Sequence, residues 1–208
     1  MARTSKIDLK AKAITVEKVM LLLEKTGMTT NEIVSVVRSC WDDIFTISDK
    51  NGAFIIGKTS FPKPQVMGFI LETLVAKKFE SMYPKQWIFD PTGYSKDITN
   101  ILDDSFSIEI KTSSSNGKIY GNRSYAKVGE TSKKSKNSFY LAINFSKFDN
   151  TDLNKKPTLT KIRLGYLEHS DWMGQSAQTG QNARLSATTE KSKLLELWPN
   201  SDESLEIK

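Results

Sequence analysis

The segment Phe106-Ser-Ile-Glu-Ile-Lys-Thr-Ser113 sets Ile108 and Ile110 on one face of a strand and Glu109 and Lys111 on the other. A carboxylate and an ammonium therefore share a side. Asp97 stands twelve positions before Glu109, and the Asp103-Asp104-Ser105 turn between them can fold it back beside Glu109. Two carboxylates and the backbone carbonyl of Ile110 form an oxygen-only donor set, which suits a hard cation such as Mg²⁺ that keeps several waters. Lys111 would orient or help deprotonate an attacking water, or neutralise charge developing on a phosphate. Glu72 lies amid Phe69, Ile70, Leu71, Leu74 and Val75, where a charge is costly unless paired, and could add a contact to the metal or to its ligands. The plainer alternatives are an ion pair on a surface strand for Glu109 and Lys111, and a solvated helix face for Glu72.

An acidic-x-Lys tripeptide is weak evidence alone, since Asp8-Leu-Lys10 and Glu206-Ile-Lys208 also match it. Only the central match combines apolar alternation, an upstream Asp and turn, and a basic successor. That successor, Lys118 to Lys127, interleaves Tyr120 and Tyr125 with Lys118, Asn122, Arg123 and Lys127, a mixture suited to phosphates and base edges. From Lys111 to Lys136 seven basic residues face Glu130 alone, an excess of +6 that equals the net charge of the whole chain. An anionic partner is favoured, although basic loops are often merely solvated.

Composition removes several chemistries. With Cys40 as the single cysteine and His169 as the single histidine of 208 residues, one chain cannot build a disulfide, a cysteine zinc finger or a paired-histidine metal site. Any metal must rest mostly on carboxylates. Apolar runs are far shorter than the roughly 18 residues of a membrane span, and no secretory leader is evident. The expectation is a cytoplasmic protein with no membrane association. A hydrophobic share of 38% supports an ordinary buried core.

The elements that must position these groups follow from periodicity. Ile14, Val19, Leu22 and Leu23 recur at helical spacing before a stop at Gly27; Thr29 and Glu32 then have the spacing of a capping box ahead of Ile33, Val36, Val37, Cys40, Trp41 and Ile44. Residues 24–38 fit a helix-turn-helix, but two packed helices joined by a Gly turn explain them equally and are preferred. A third helix should start at the Phe61-Pro-Lys-Pro64 segment, with Val66, Phe69, Ile70, Leu74 and Phe79 as its apolar face to about Met82. Strands are predicted over 87–90, 96–101, 106–112, 138–145 and 161–168, with a final helical piece near the end. The division expected is a helical segment, 1–60, and a nuclease domain, 61–208, together forming one compact unit. The four tryptophans read as core or interface anchors.

Glu72, then Asp97, then Glu109-Ile-Lys111 resembles the PD-(D/E)xK nuclease core, although Lys96 precedes Asp97 where that pattern has Pro. Gly68-Phe-Ile-Leu-Glu72, Ser95-Lys-Asp-Ile98, residues 107–113 and 138–145, Ile162-Arg-Leu-Gly-Tyr166, Asp171-Trp172 and Gly180-Gln181 resemble the ScaI-type family of type II restriction endonucleases, a likeness running from about Phe61 to Leu185. The resemblance implies an α/β fold with a mixed central sheet flanked by helices. It further implies Mg²⁺-dependent, sequence-specific cleavage of double-stranded DNA by a homodimer, beside a cognate DNA methyltransferase that protects host DNA. By position, Asp97 and Glu109 become metal ligands, Lys111 the catalytic lysine and Glu72 the accessory carboxylate. The expected products carry 5′-phosphate and 3′-hydroxyl ends. A repair or junction-resolving nuclease with the same core, or a non-catalytic DNA-binding regulator, are the rival readings.

The run from Asp171 to Arg184 is rich in amides, and Gln or Asn can read adenine bidentately. Gln178, Gln181, Asn182 and Arg184 are its candidate DNA contacts, with a polar turn as the alternative.

Overall fold

A computed structural model describes residues 6–126, 135–176, 181–200 and 205. Helix α1 spans Lys6–Thr26 and ends where Gly27 takes φ +71° and its N–H donates to the Leu23 carbonyl at 2.9 Å. That left-handed backbone is what glycine supplies at a helix end. Helix α2, Thr30–Ile44, starts in the expected capping box: the Glu32 N–H donates to the Thr29 hydroxyl at 3.1 Å, and Glu32 accepts from the Thr29 N–H at 3.0 Å. Its six expected apolar residues are all buried.

The two helices do not pair with each other as expected. Helix α1 packs on β6 (Leu159–Leu167) and α4 (Ala187–Lys193), whereas α2 packs on α3 (Pro64–Met82) and β9 (Leu194–Trp198). Each helix makes its main contacts elsewhere, and the helix-turn-helix alternative falls with the pairing.

Helix α3 begins at Pro64 as predicted, but its buried face is Met67, Gly68, Leu71, Val75, Ala76 and Phe79. The expected face is only partly the buried one: Phe79 is buried and Ile70 and Leu74 pack half-buried against the core, whereas Val66 is 47% and Phe69 69% exposed. Small Gly68 is what lets the backbone approach the Thr112 side chain, a signal that apolar counting overlooks. Each fully buried large side chain on this face, Leu71 for instance, is worth about 1.5–3 kcal/mol. Ile14 of α1 is likewise half exposed rather than in the core.

The remaining strands are β1 (Trp87–Phe89), β2 (Ile98–Asn100), β3 (Ile108–Ser113), β4 (Tyr120–Asn122), β5 (Ser138–Phe145), β7 (Trp172–Gly174) and β8 (Asn182–Leu185). Among the described residues six of nine strands form a sheet in the order β1-β2-β3-β5-β6-β9, with β3 and β5 parallel and every other pair antiparallel. The protein is thus α/β with a mixed central sheet. β5 is buried along its whole length because both faces of the sheet are covered. Phe139, Leu141, Ile143 and Phe145 join the large core with α1, α2 and α3, while Tyr140 and Ala142 face a smaller one.

That smaller core lies beneath a second sheet, ordered β4-β8-β7, which sequence periodicity does not predict. Its strands are three or four residues long and mostly polar outward, too short for an alternation signal. Trp41, Trp87 and Trp172 are core residues, as expected. Among the described residues no helix is long and apolar enough to cross a membrane.

Candidate active site

The site lies where β2 parts from β3. The two strands pair only at Ile98 and Ile108, so farther along β3 the N–H groups facing β2 need other acceptors. Two carboxylates supply them. Asp97 accepts from the Ile110 N–H at 2.7 Å, and Glu72 accepts from the Thr112 N–H at 3.1 Å and the Thr112 hydroxyl at 2.8 Å. Lys96, in the place of the pattern's Pro, is buried and donates its ammonium to the Ser135 carbonyl.

Glu72 reaches Thr112 because α3 crosses β3 at Gly68. A Cβ built on Gly68 would overlap the Thr112 hydroxyl oxygen, and Glu72 lies one helical turn farther along the same face. The close approach and the carboxylate are therefore one feature.

On the other face of β3, Lys111 Nζ donates to Glu109 Oε1 at 2.8 Å and to the Ile110 carbonyl at 3.1 Å. Glu109 is 2% exposed, so the plain surface ion pair is excluded. The Tyr125 hydroxyl donates to the same Oε1 at 2.5 Å. Burial alone would lower the Lys111 pKa, but the carboxylates of Glu109, Asp97 and Glu72 outweigh it and hold the ammonium well above the ordinary lysine range. Burial pushes Glu72 up, opposed by Lys111 and the Thr112 hydroxyl and reinforced by Asp97.

Glu109, Asp97 and Glu72 thus all lie within electrostatic reach of Lys111, and a cation would offset the negative excess. The donor set fits a hard metal ion: Asp97, Glu109 and the Ile110 carbonyl offer oxygen only. Among the described residues no three His, Cys, Asp or Glu side chains make a metal cage by themselves, so water and phosphate oxygens would complete the shell.

Sequence reasoning missed Asn144. Its buried amide donates to the carbonyls of Ser115 and Lys118, each at 2.9 Å, and accepts from Arg163 at 2.9 Å. Glu190 accepts from the Ile119 N–H at 3.0 Å. Together they clamp the loop that leaves β3, a role with no local sequence signal because the partners lie at least 19 positions away.

The expected DNA-contact segments meet in the small sheet. Tyr120 pairs with Arg184 and Asn122 with Asn182, and all four are exposed on one face, while Gly121, Ala183 and Leu185 turn inward. Lys118 and Gln181 are exposed beside them; Arg123 is half-buried and its N–H donates to the Gln181 carbonyl at 2.6 Å. Tyr125 departs from expectation, being 5% exposed and packed against Trp172, which removes it from direct base contact. Lys127 and Gln178 lie outside the described residues.

The mixed sheet, its helices and this carboxylate–lysine corner define a restriction-endonuclease-like fold. A model of the ScaI restriction endonuclease family matches residues 12–198. The type II restriction enzyme ScaI of Streptomyces caespitosus is 36% identical over 175 residues, covering 84% of this chain and 76% of that enzyme. The chain belongs to the ScaI restriction endonuclease family.

Proposed function

We propose that this restriction endonuclease hydrolyses double-stranded DNA at a specific sequence with Mg²⁺ held by Asp97, Glu109 and the Ile110 carbonyl. The observation that carries the reading is the corner of β3: Asp97 on the Ile110 N–H at 2.7 Å beside Glu109 paired to Lys111 at 2.8 Å. Mg²⁺ bound there would polarise the scissile phosphate and stabilise the charge of the leaving oxygen. The Lys111 ammonium, held charged by its anionic neighbours, orients the attacking water and faces the charge that develops on the phosphate. Water attacks phosphorus in line, a P–O bond forms as the P–O3′ bond breaks, and the products carry 5′-phosphate and 3′-hydroxyl ends. Glu72 acts as the accessory carboxylate, fixing the strand through Thr112.

The outward face of the small sheet is the DNA surface. Tyr120, Asn122, Asn182 and Arg184 form a two-stranded ribbon of the width that enters a major groove, where amides read adenine and Arg reads guanine. Lys118, Arg123 and Gln181 add phosphate or base contacts around it. Because one site cuts one strand, a homodimer would serve a palindromic target. A DNA methyltransferase of the same system would protect host DNA, and the cytoplasm is where both would work. Residues 1–60 and 61–208 are read as one unit, consistent with the core that α1 and α2 share with the central sheet.

The test is incubation of the purified protein with unmethylated plasmid and phage DNA, in Mg²⁺ or in EDTA. Discrete fragments that need Mg²⁺ and disappear in Asp97→Ala and Lys111→Ala are expected, and their sequenced ends give the target. Fragments of the same pattern from either variant would defeat the assignment.

A further inference from the structure

We propose that Tyr125 is a positioning residue for Glu109, tying this carboxylate to the sheet that faces DNA. The inference rests on Glu109 being a metal ligand. The Tyr125 hydroxyl donates to Glu109 Oε1 at 2.5 Å, and Lys111 Nζ donates to the same oxygen at 2.8 Å. Two donors on one oxygen fix the rotation of the carboxylate. Groups behind a metal ligand that do this commonly set its affinity.

What fixes Tyr125 is the small sheet. Its ring stands edge-on to Trp172 of β7 at 4.9 Å between centroids. It also lies on the backbone of β4: a Cβ added at Gly121 would come within 2.8 Å of the ring. The Lys136 ammonium sits 4.2 Å from the ring centroid. Gly121 stands between Tyr120 and Asn122, whose side chains point the opposite way, outward with Arg184 and Asn182. One strand thickness therefore separates the DNA-facing side chains from the ring that steers Glu109. A shift of β4 on contact with DNA would move the Tyr125 hydroxyl and, through it, the carboxylate.

Tyr125→Phe keeps the ring and its packing and removes only the hydroxyl. Mn²⁺ serves as the probe, titrated without DNA and followed by the loss of its free-ion electron paramagnetic resonance signal, in wild type, Tyr125→Phe and Glu109→Ala proteins. Tyr125→Phe should bind Mn²⁺ about tenfold more weakly, with its melting temperature and near-ultraviolet circular dichroism close to wild type, and Glu109→Ala should lose the site. Wild-type Mn²⁺ affinity in Tyr125→Phe, with binding lost in Glu109→Ala, overturns the role of Tyr125 alone. Wild-type affinity in Glu109→Ala overturns the ligand assignment beneath it.

Discussion

Gly68→Ala should destabilise this protein even though the same change in most helix interiors stabilises. Alanine favours a helix over glycine by about 1 kcal/mol. Here the new methyl would overlap the Thr112 hydroxyl oxygen, which donates to Glu72 at 2.8 Å. Swinging Thr112 away relieves the overlap but surrenders a hydrogen bond to a charged, desolvated acceptor, at about 1.5–3 kcal/mol. The net loss is about 0.5–2 kcal/mol, or about 1–8 °C in melting temperature for a chain of this size. In a Thr112→Ala background the obstacle is gone, so Gly68→Ala should instead raise the melting temperature by about 2–4 °C. The cycle of four proteins, measured by calorimetry, reads the coupling directly. A higher melting temperature for Gly68→Ala alone, or equal effects in both backgrounds, would refute the claim that this close approach seats Glu72.

Asn144→Ala should remove the partner of two part-buried carbonyls and leave the buried Arg163 guanidinium without its Asn144 acceptor, at a cost of about 2–4 kcal/mol that urea unfolding would register. A loss under about 1 kcal/mol would show that the loop after β3 is held by other contacts. The Tyr83 hydroxyl donates to Glu32 at 2.5 Å, joining α3 to the start of α2, and is the main reason that the Glu32 pKa is lowered. A carboxylate whose pKa is depressed in the folded state contributes stability above its unfolded pKa and loses it as pH falls through the folded value. Tyr83→Phe should therefore melt below wild type at neutral pH, and the gap should close under acid conditions; a gap that persists there would contradict the assignment.

The local geometry of the candidate site, and of one helix start, is legible in the sequence. Glu109-x-Lys111 alternates on one strand, Asp97 is a turn away, and the Thr29–Glu32 capping box spans three positions. The face of α3 is legible only in part: Phe79 follows the apolar period, whereas Val66 and Phe69 turn to solvent because Gly68 takes the close approach to β3. The basic segment around Tyr125 predicts a DNA contact, yet its hydroxyl donates to Glu109 sixteen positions upstream. The small sheet escaped notice since β4 and β8 pair across some sixty residues, and neither strand is long enough to show its period.

If Asp97 and Glu109 serve chemistry rather than DNA affinity or folding, removing their charge should spare binding and suppress cleavage. Asp97→Asn and Glu109→Gln preserve shape and remove charge, so both proteins can be compared with wild type on one duplex fragment carrying the target, for binding in Ca²⁺ and for single-turnover cleavage in Mg²⁺. Retained binding with cleavage lowered by a factor on the order of 10² or more is the predicted result. Cleavage by either variant at the wild-type rate would contradict the account.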